Sequence, residues 1–159
     1  RLVNLGFEKI SISTEYLKEN SLVDLISRNI GRQSSVVTLN VKQNILKNGY
    51  RVFSHKEKKI NFGLKEIISD LKKREFGELI INCAHKDGMR NGYDTKLMDY
   101  IYSELKDKVI ITFCGGAKNI EGLIDLSIKY PRMGFSATSC FVYSGKLDAV
   151  LINYNNPFL

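Results

Sequence analysis

Short β-branched apolar runs alternate with segments of helical period five times along the 159 residues, and no linker or low-complexity stretch interrupts them. The strand-like runs are Lys9–Thr14, Ser35–Val41, Glu78–Cys83, Lys108–Phe113 and Gly134–Ser139. Parallel neighbours need crossover connections, so the alternation predicts a parallel sheet covered by helices. The intervening segments repeat apolar residues on one helical face: Leu22, Leu25, Ile26 and Ile30; Leu64, Ile67, Ile68 and Leu71; Leu97, Met98, Ile101 and Leu105; Ile120, Leu123, Ile124 and Ile128. Ser21 with Asp24 reads as a capping box, Asp94 as an N-cap, Gly77 as a stop for the second helix and Pro131 as a stop for the fourth. Between the second and third strands, Tyr50–Phe53 and Lys59–Phe62 flank a charged turn in a hairpin pattern. The tail Ala149–Tyr154 fits strand or helix by period alone.

Two architectures accommodate these units. A doubly wound sheet fits the length but lacks its glycine signature after the first strand. An eight-stranded α/β barrel usually needs about 250 residues, yet it places its chemistry where the polar residues of this chain fall. Those residues are Ser13 and Thr14, Asn40, His85 with Asp87 and Gly88, Gly115 and Gly116, and Thr138 and Ser139, all at the ends of strands. Gly-Gly lets backbone approach an anion and the hydroxyls add donors, which suggests a phosphate cradle; glycine and serine also simply make turns. His85 beside Asp87 suits acid–base work or plain solvation. Asn40 can orient a substrate but cannot move protons as a carboxylate does.

Charge and cysteine usage narrow the partners. A formal charge of +7 favours an acidic ligand. The densest basic runs, His55–Lys59 and Lys72–Glu75, contain acids and no interleaved aromatics, so a phosphorylated small molecule is expected and nucleic acid is not. No apolar run approaches the roughly 20 residues that cross a bilayer, and a cytoplasmic location is expected. Cys83, Cys114 and Cys140 are too far apart for zinc-type pairs, so reduced thiols, no metal and no cofactor are expected.

The ordered set Lys9–Thr14, Val36–Lys42, the hairpin, Gly77–Ile80 leading to Lys86-Asp87-Gly88 and Gly92-Tyr93-Asp94, and Gly115-Gly116-Ala117 resembles the cyclase subunit of imidazole glycerol phosphate synthase over nearly the whole chain. The tail resembles a paralogous branch associated with bacterial surface-polysaccharide gene sets. The resemblance implies part of a TIM (βα)8 barrel, about five parallel strands with a β-hairpin insertion after the second. Residues 1–159 would then be a single, incomplete barrel domain that begins near the helix before the fourth strand. It also implies a glutaminase (glutamine amidotransferase) partner that supplies ammonia. The reaction would be that of a lyase of histidine biosynthesis, forming imidazole glycerol phosphate and an aminoimidazole carboxamide ribonucleotide. Nitrogen transfer to amidine or amide groups on surface sugars is the paralogous alternative, and a non-catalytic subunit that binds phosphate or docks a glutaminase is the alternative from another class.

By resemblance, Ser13 and Thr14 face one substrate phosphate. Asp87, Gly88, Gly115, Gly116, Thr138 and Ser139 shape the other end. Asn40 occupies the position of a catalytic aspartate, and His85 replaces a usual aspartate, which makes these two the candidate catalytic residues.

Overall fold

The computed structural model describes residues 3–44, 48–57, 60–144 and 149–150. Among these residues are five parallel strands: β1 (Ile10–Ile12), β2 (Ser35–Asn44), β5 (Glu78–Cys83), β6 (Ile110–Cys114) and β7 (Met133–Ser136). Their spatial order is their order in the chain: β1 pairs β2, β2 pairs β5, β5 pairs β6 and β6 pairs β7, all in parallel. A doubly wound sheet must reverse its strand order at a switch point. This sheet never reverses, which is the winding of a barrel wall and decides between the two architectures.

The insertion forms as expected. Strand β3 (Gly49–Phe53) pairs antiparallel with the upper half of β2, from Asn40 opposite Phe53 to Asn44 opposite Gly49. Strand β4 (Asn61–Gly63) pairs with β3, so the hairpin covers the edge of β2 that β1 leaves open. Lys59 of the expected second hairpin strand lies outside the described residues. At the other end of the chain, Ala149–Val150 forms β9 against β8 (Tyr143–Ser144), and Leu151 to Tyr154 of the tail lie outside the described residues.

Helices α2 (Leu22–Ile30), α3 (Leu64–Leu71), α4 (Thr95–Leu105) and α5 (Ile120–Lys129) follow the predicted segments. Every apolar residue named for α3 and α4 is buried. They pack on one face of the sheet against the layers Val37, Leu79, Ile111, Met133 and Leu39, Ile81, Phe113, Phe135. Removing that much apolar surface from water, at about 25 cal/mol per Å², is the main stabilising term.

Several local readings need correction. The first strand ends at Ile12, because Thr14–Lys18 forms a one-turn helix, α1, whose Tyr16 is buried and donates to Asp70 at 2.7 Å. The Ser21–Asp24 capping box does not form: the Ser21 hydroxyl donates to Glu19, and Asp24 accepts from Arg74 and the Glu75 amide. On α2 the inward residues are Val23 and Ser27, while Leu25 is turned to solvent at 55% exposure. Gly77 does not close α3, which ends at Leu71. Its lack of a side chain lets the Arg32 carbonyl come within 2.5 Å of where a Cβ would stand. None of the residues on α5 is fully buried, and Ile128 is 74% exposed. The last strand stops at Ser136, and Thr138 and Ser139 instead open the short helix α6 (Ser139–Val142).

Candidate functional site

The face of the sheet opposite the helices is polar, and its register builds it in layers. Thr38, Ile80, Thr112 and Gly134 lie side by side across β2, β5, β6 and β7. The next layer toward the carboxyl ends is Asn40, Asn82, Cys114 and Ser136. Strand side chains alternate between faces, so placing Leu39 and Val41 under the helices turns Asn40 to this side. Asn82 donates from Nδ2 to Asn40 Oδ1 at 3.0 Å. One layer down, the Ser11 and Thr38 hydroxyls meet at 2.7 Å.

Directly above Cys114 and Ser136 the strands give way to a cavity of about 120 Å³. Six residues singled out from the sequence line it: Asp87, Gly88, Gly115, Gly116, Thr138 and Ser139. Arg90, Cys114, Ser136 and two alanines complete the wall. The strand-end loops make this possible through the Gly-Gly pair. Gly115 and Gly116 hold φ of 94° and 108°, a region that side chains disfavour. A Cβ on Gly115 would stand 2.8 Å from the Cys83 carbonyl, and one on Gly116 would stand 2.6 Å from the Gly92 carbonyl. The loops after β5 and β6 therefore touch through backbone alone.

The Gly92-Tyr93-Asp94 motif is the other half of that contact. The Gly92 amide donates to the Gly116 carbonyl at 2.9 Å. Tyr93 is buried against Phe135 and donates its hydroxyl to the Ser136 carbonyl at 2.7 Å. Burial pushes the Tyr93 hydroxyl's pKa above the usual tyrosine value. Asp94 caps α4 by accepting from the Leu97 amide at 3.1 Å. Three consecutive residues thus tie β5's loop to β6, to β7 and to its own helix.

Ser13 and Thr14 are not in this cavity. They sit at the end of β1, four strands along the wall from β7, where the Thr14 hydroxyl meets that of Ser54 at 2.9 Å. His85 also lies apart from Asn40. Its ring is held by Asp94 Oδ2 at 2.9 Å, by the Gln43 amide at 3.3 Å, and by Cys83 Sγ at 3.6 and 3.7 Å from its two nitrogens. Tyr50 from the hairpin donates to the same carboxylate at 2.9 Å. Burial works against the Asp94 charge, but the Leu97 amide, His85 and Tyr50 outweigh it and hold the carboxyl below the usual range.

Asn82, Ser136 and Arg90 were not singled out from the sequence. Asn82 and Ser136 are visible only once the register aligns them with Asn40 and Cys114. Arg90 could have been found from its place between the two glycines of the loop; its guanidinium lies 5.7 Å from the centre of the Tyr143 ring. Among the described residues no helix is long and apolar enough to cross a membrane.

The chain is similar to known proteins over nearly its whole length. The model of the family described as histidine biosynthesis protein matches residues 1–148. A Vibrio vulnificus protein provisionally named imidazole glycerol phosphate synthase subunit hisF3 is 31% identical over 99% of this chain and 60% of its own length. A Pseudomonas aeruginosa protein provisionally named as the hisF2 subunit is 34% identical over 97% of this chain and 61% of its own length. The imidazole glycerol phosphate synthase subunit HisF of Natranaerobius thermophilus is 29% identical over 97% of this chain and 60% of its own length. The chain thus spans about three fifths of the length of the curated relatives it matches.

Proposed function

Because the chain belongs to the histidine biosynthesis protein family, we propose that it is a cyclase-type subunit of imidazole glycerol phosphate synthase that binds a phosphorylated substrate along the carboxyl ends of its strands. The observation that supports this best is the shared cavity. Residues from three separate strand ends, chosen for their hydrogen-bonding chemistry, surround one space next to the Asn40 layer. In this reading Gly115, Gly116, Thr138 and Ser139 hold one phosphate, with Asp87 and Gly88 at its rim. Ser13 and Thr14 hold the phosphate at the far end of an extended substrate. Asn40, steadied by Asn82, orients the atoms between them.

Ammonia from a glutaminase partner in the cytoplasm completes the reaction, which yields imidazole glycerol phosphate and an aminoimidazole carboxamide ribonucleotide. A dry route matters because ammonia protonates in bulk water and then ceases to be a nucleophile. Asn40 limits the rate, since an amide cannot take up the proton that a carboxylate would, and such help is typically worth about 10²–10⁴. That same residue favours a second reading, a paralogue that transfers nitrogen to amidine or amide groups on surface sugars. A subunit that binds phosphate or docks a glutaminase without catalysis is the limiting case of it.

The test supplies ammonia and the phosphoribulosyl-formimino ribonucleotide to the protein and to Asn40→Asp. Ammonia-dependent product formed at least about tenfold faster by Asn40→Asp supports the synthase reading. Tight substrate binding with no turnover in either protein overturns it in favour of the paralogue.

A further inference from the structure

Behind the sheet, away from the cavity, the end of β5, the loop that follows it and the start of α4 bring together three side chains of different chemistry. Cys83, His85 and Asp94 each offer one donor atom, and the three atoms lie within 4.8 Å of one another. Sequence spacing gave no sign of the cluster, because Asp94 lies nine residues beyond His85 and returns to it only when the Gly92-Tyr93-Asp94 motif docks. Cys83 is fully buried, while the His85 and Asp94 side chains keep 21% and 11% of their surface, which leaves an approach from one side.

We propose that Cys83, His85 and Asp94 form a three-ligand site for a divalent transition-metal ion of the zinc type. Sulfur, nitrogen and carboxylate oxygen together are the donor set of such ions, and three protein ligands leave a fourth position for water. Metal–ligand bonds of about 2.0 Å to nitrogen and oxygen and about 2.3 Å to sulfur place donors roughly 3.3–3.7 Å apart in a tetrahedron. His85 Nε2 lies 3.7 Å from Cys83 Sγ, which fits, and 2.9 Å from Asp94 Oδ2, a gap that has to widen by a few tenths of an ångström. The Cys83-to-Asp94 gap, within 4.8 Å, has to settle at about 3.5 Å in the same tetrahedron. Outer support is in place: Tyr50 donates to both Asp94 oxygens at 2.9 Å and the Leu97 amide to Oδ1, so Tyr50 can keep Oδ1 when the ion takes Oδ2.

Binding replaces the proton between His85 and Asp94. That proton moves to Nδ1, which gives up its long contact with the Gln43 amide, and the Cys83 thiol releases its own proton to solvent. One proton, that of the Cys83 thiol, therefore leaves for each ion bound. The ion would clamp the start of α4 to the end of β5 and to the loop that walls the cavity, without entering the cavity itself.

The test titrates cobalt(II) into the full chain and follows thiolate-to-metal charge-transfer absorption in the near ultraviolet. The expected result is saturation at one ion per chain, with one proton released, and displacement of cobalt by zinc. Cys83→Ser should abolish the band, His85→Gln should weaken binding at least about tenfold, and the double variant Cys114→Ser/Cys140→Ser should retain both. Circular dichroism checks that the variants are folded; if Cys83→Ser is not, His85→Gln carries the decision. Absence of the band in the folded protein, its persistence in Cys83→Ser, its loss with Cys114 and Cys140, or unchanged binding by His85→Gln would overturn the proposal.

Discussion

Gly116 and Gly88 both lie in the strand-end loops with positive φ, yet their environments differ. A Cβ on Gly116 would collide with the Gly92 carbonyl, whereas one on Gly88 would meet nothing within 4 Å. Gly88→Ala therefore costs only the left-handed backbone, on the order of 1 kcal/mol. Gly116→Ala must also push the two loops apart and is predicted to cost about 2–3 kcal/mol, measured as a shift in denaturant midpoint. Equal losses in the two variants would mean that the loop contact is not fixed as described. The same residues show the reach of sequence reasoning. A Gly-Gly pair after a strand suggested either an approach to an anion or a plain turn. The structure shows a third use, backbone contact with the neighbouring loop, and the cavity leaves the anion as the proposal.

At the scale of elements, Asp70 at the end of α3 holds α1 and the connection to β5. It accepts from Tyr16 at 2.7 Å, from Asn20 at 2.9 Å and from Arg74 at 2.8 Å, and Arg74 reaches on to Asp24 of α2 at 3.0 Å. Burial disfavours the Asp70 charge, but Arg74 and Tyr16 prevail and hold its carboxyl below the usual value. A carboxyl depressed in the folded state stabilises the fold above its unfolded pKa of about 3.9 and loses that contribution as pH falls through the folded pKa. Asp70→Asn is thus predicted to lower stability by about 1–3 kcal/mol near neutrality. The difference should shrink below about pH 4 in a series of urea titrations; a constant deficit down to acid would contradict the assignment. This network explains the misread α1 and α2. Thr14–Lys18 is five residues long with one buried side chain, too little for a period to show. Asp24 resembles a capping partner in sequence because its actual partner, Arg74, is fifty residues away.

For the whole molecule, the order of the parallel strands carries the account. Alternation of strand and helix was legible because each helix of the α3 and α4 type buries a regular stripe, and the hairpin because its strands flank a charged turn. The choice of barrel over doubly wound sheet was not, since both have the same local pattern and differ only in which strands pair. Once β2, β5, β6 and β7 lie in sequence order, their carboxyl ends must converge on one rim, and the cavity among Gly115, Gly116, Thr138 and Ser139 follows. The central claim is that this cavity receives a phosphate. Its most direct test is a titration of the protein with inorganic phosphate and with the ribonucleotide substrate, followed by amide shifts in NMR, for the native sequence and for Ser139→Asp. The account predicts saturable shifts at one site that include the Gly115 and Gly116 amides, with affinity at least about tenfold lower when a carboxylate replaces the Ser139 hydroxyl. Shifts that never saturate, or that leave the two glycines unmoved while Ser139→Asp binds as well as the native protein, would contradict it.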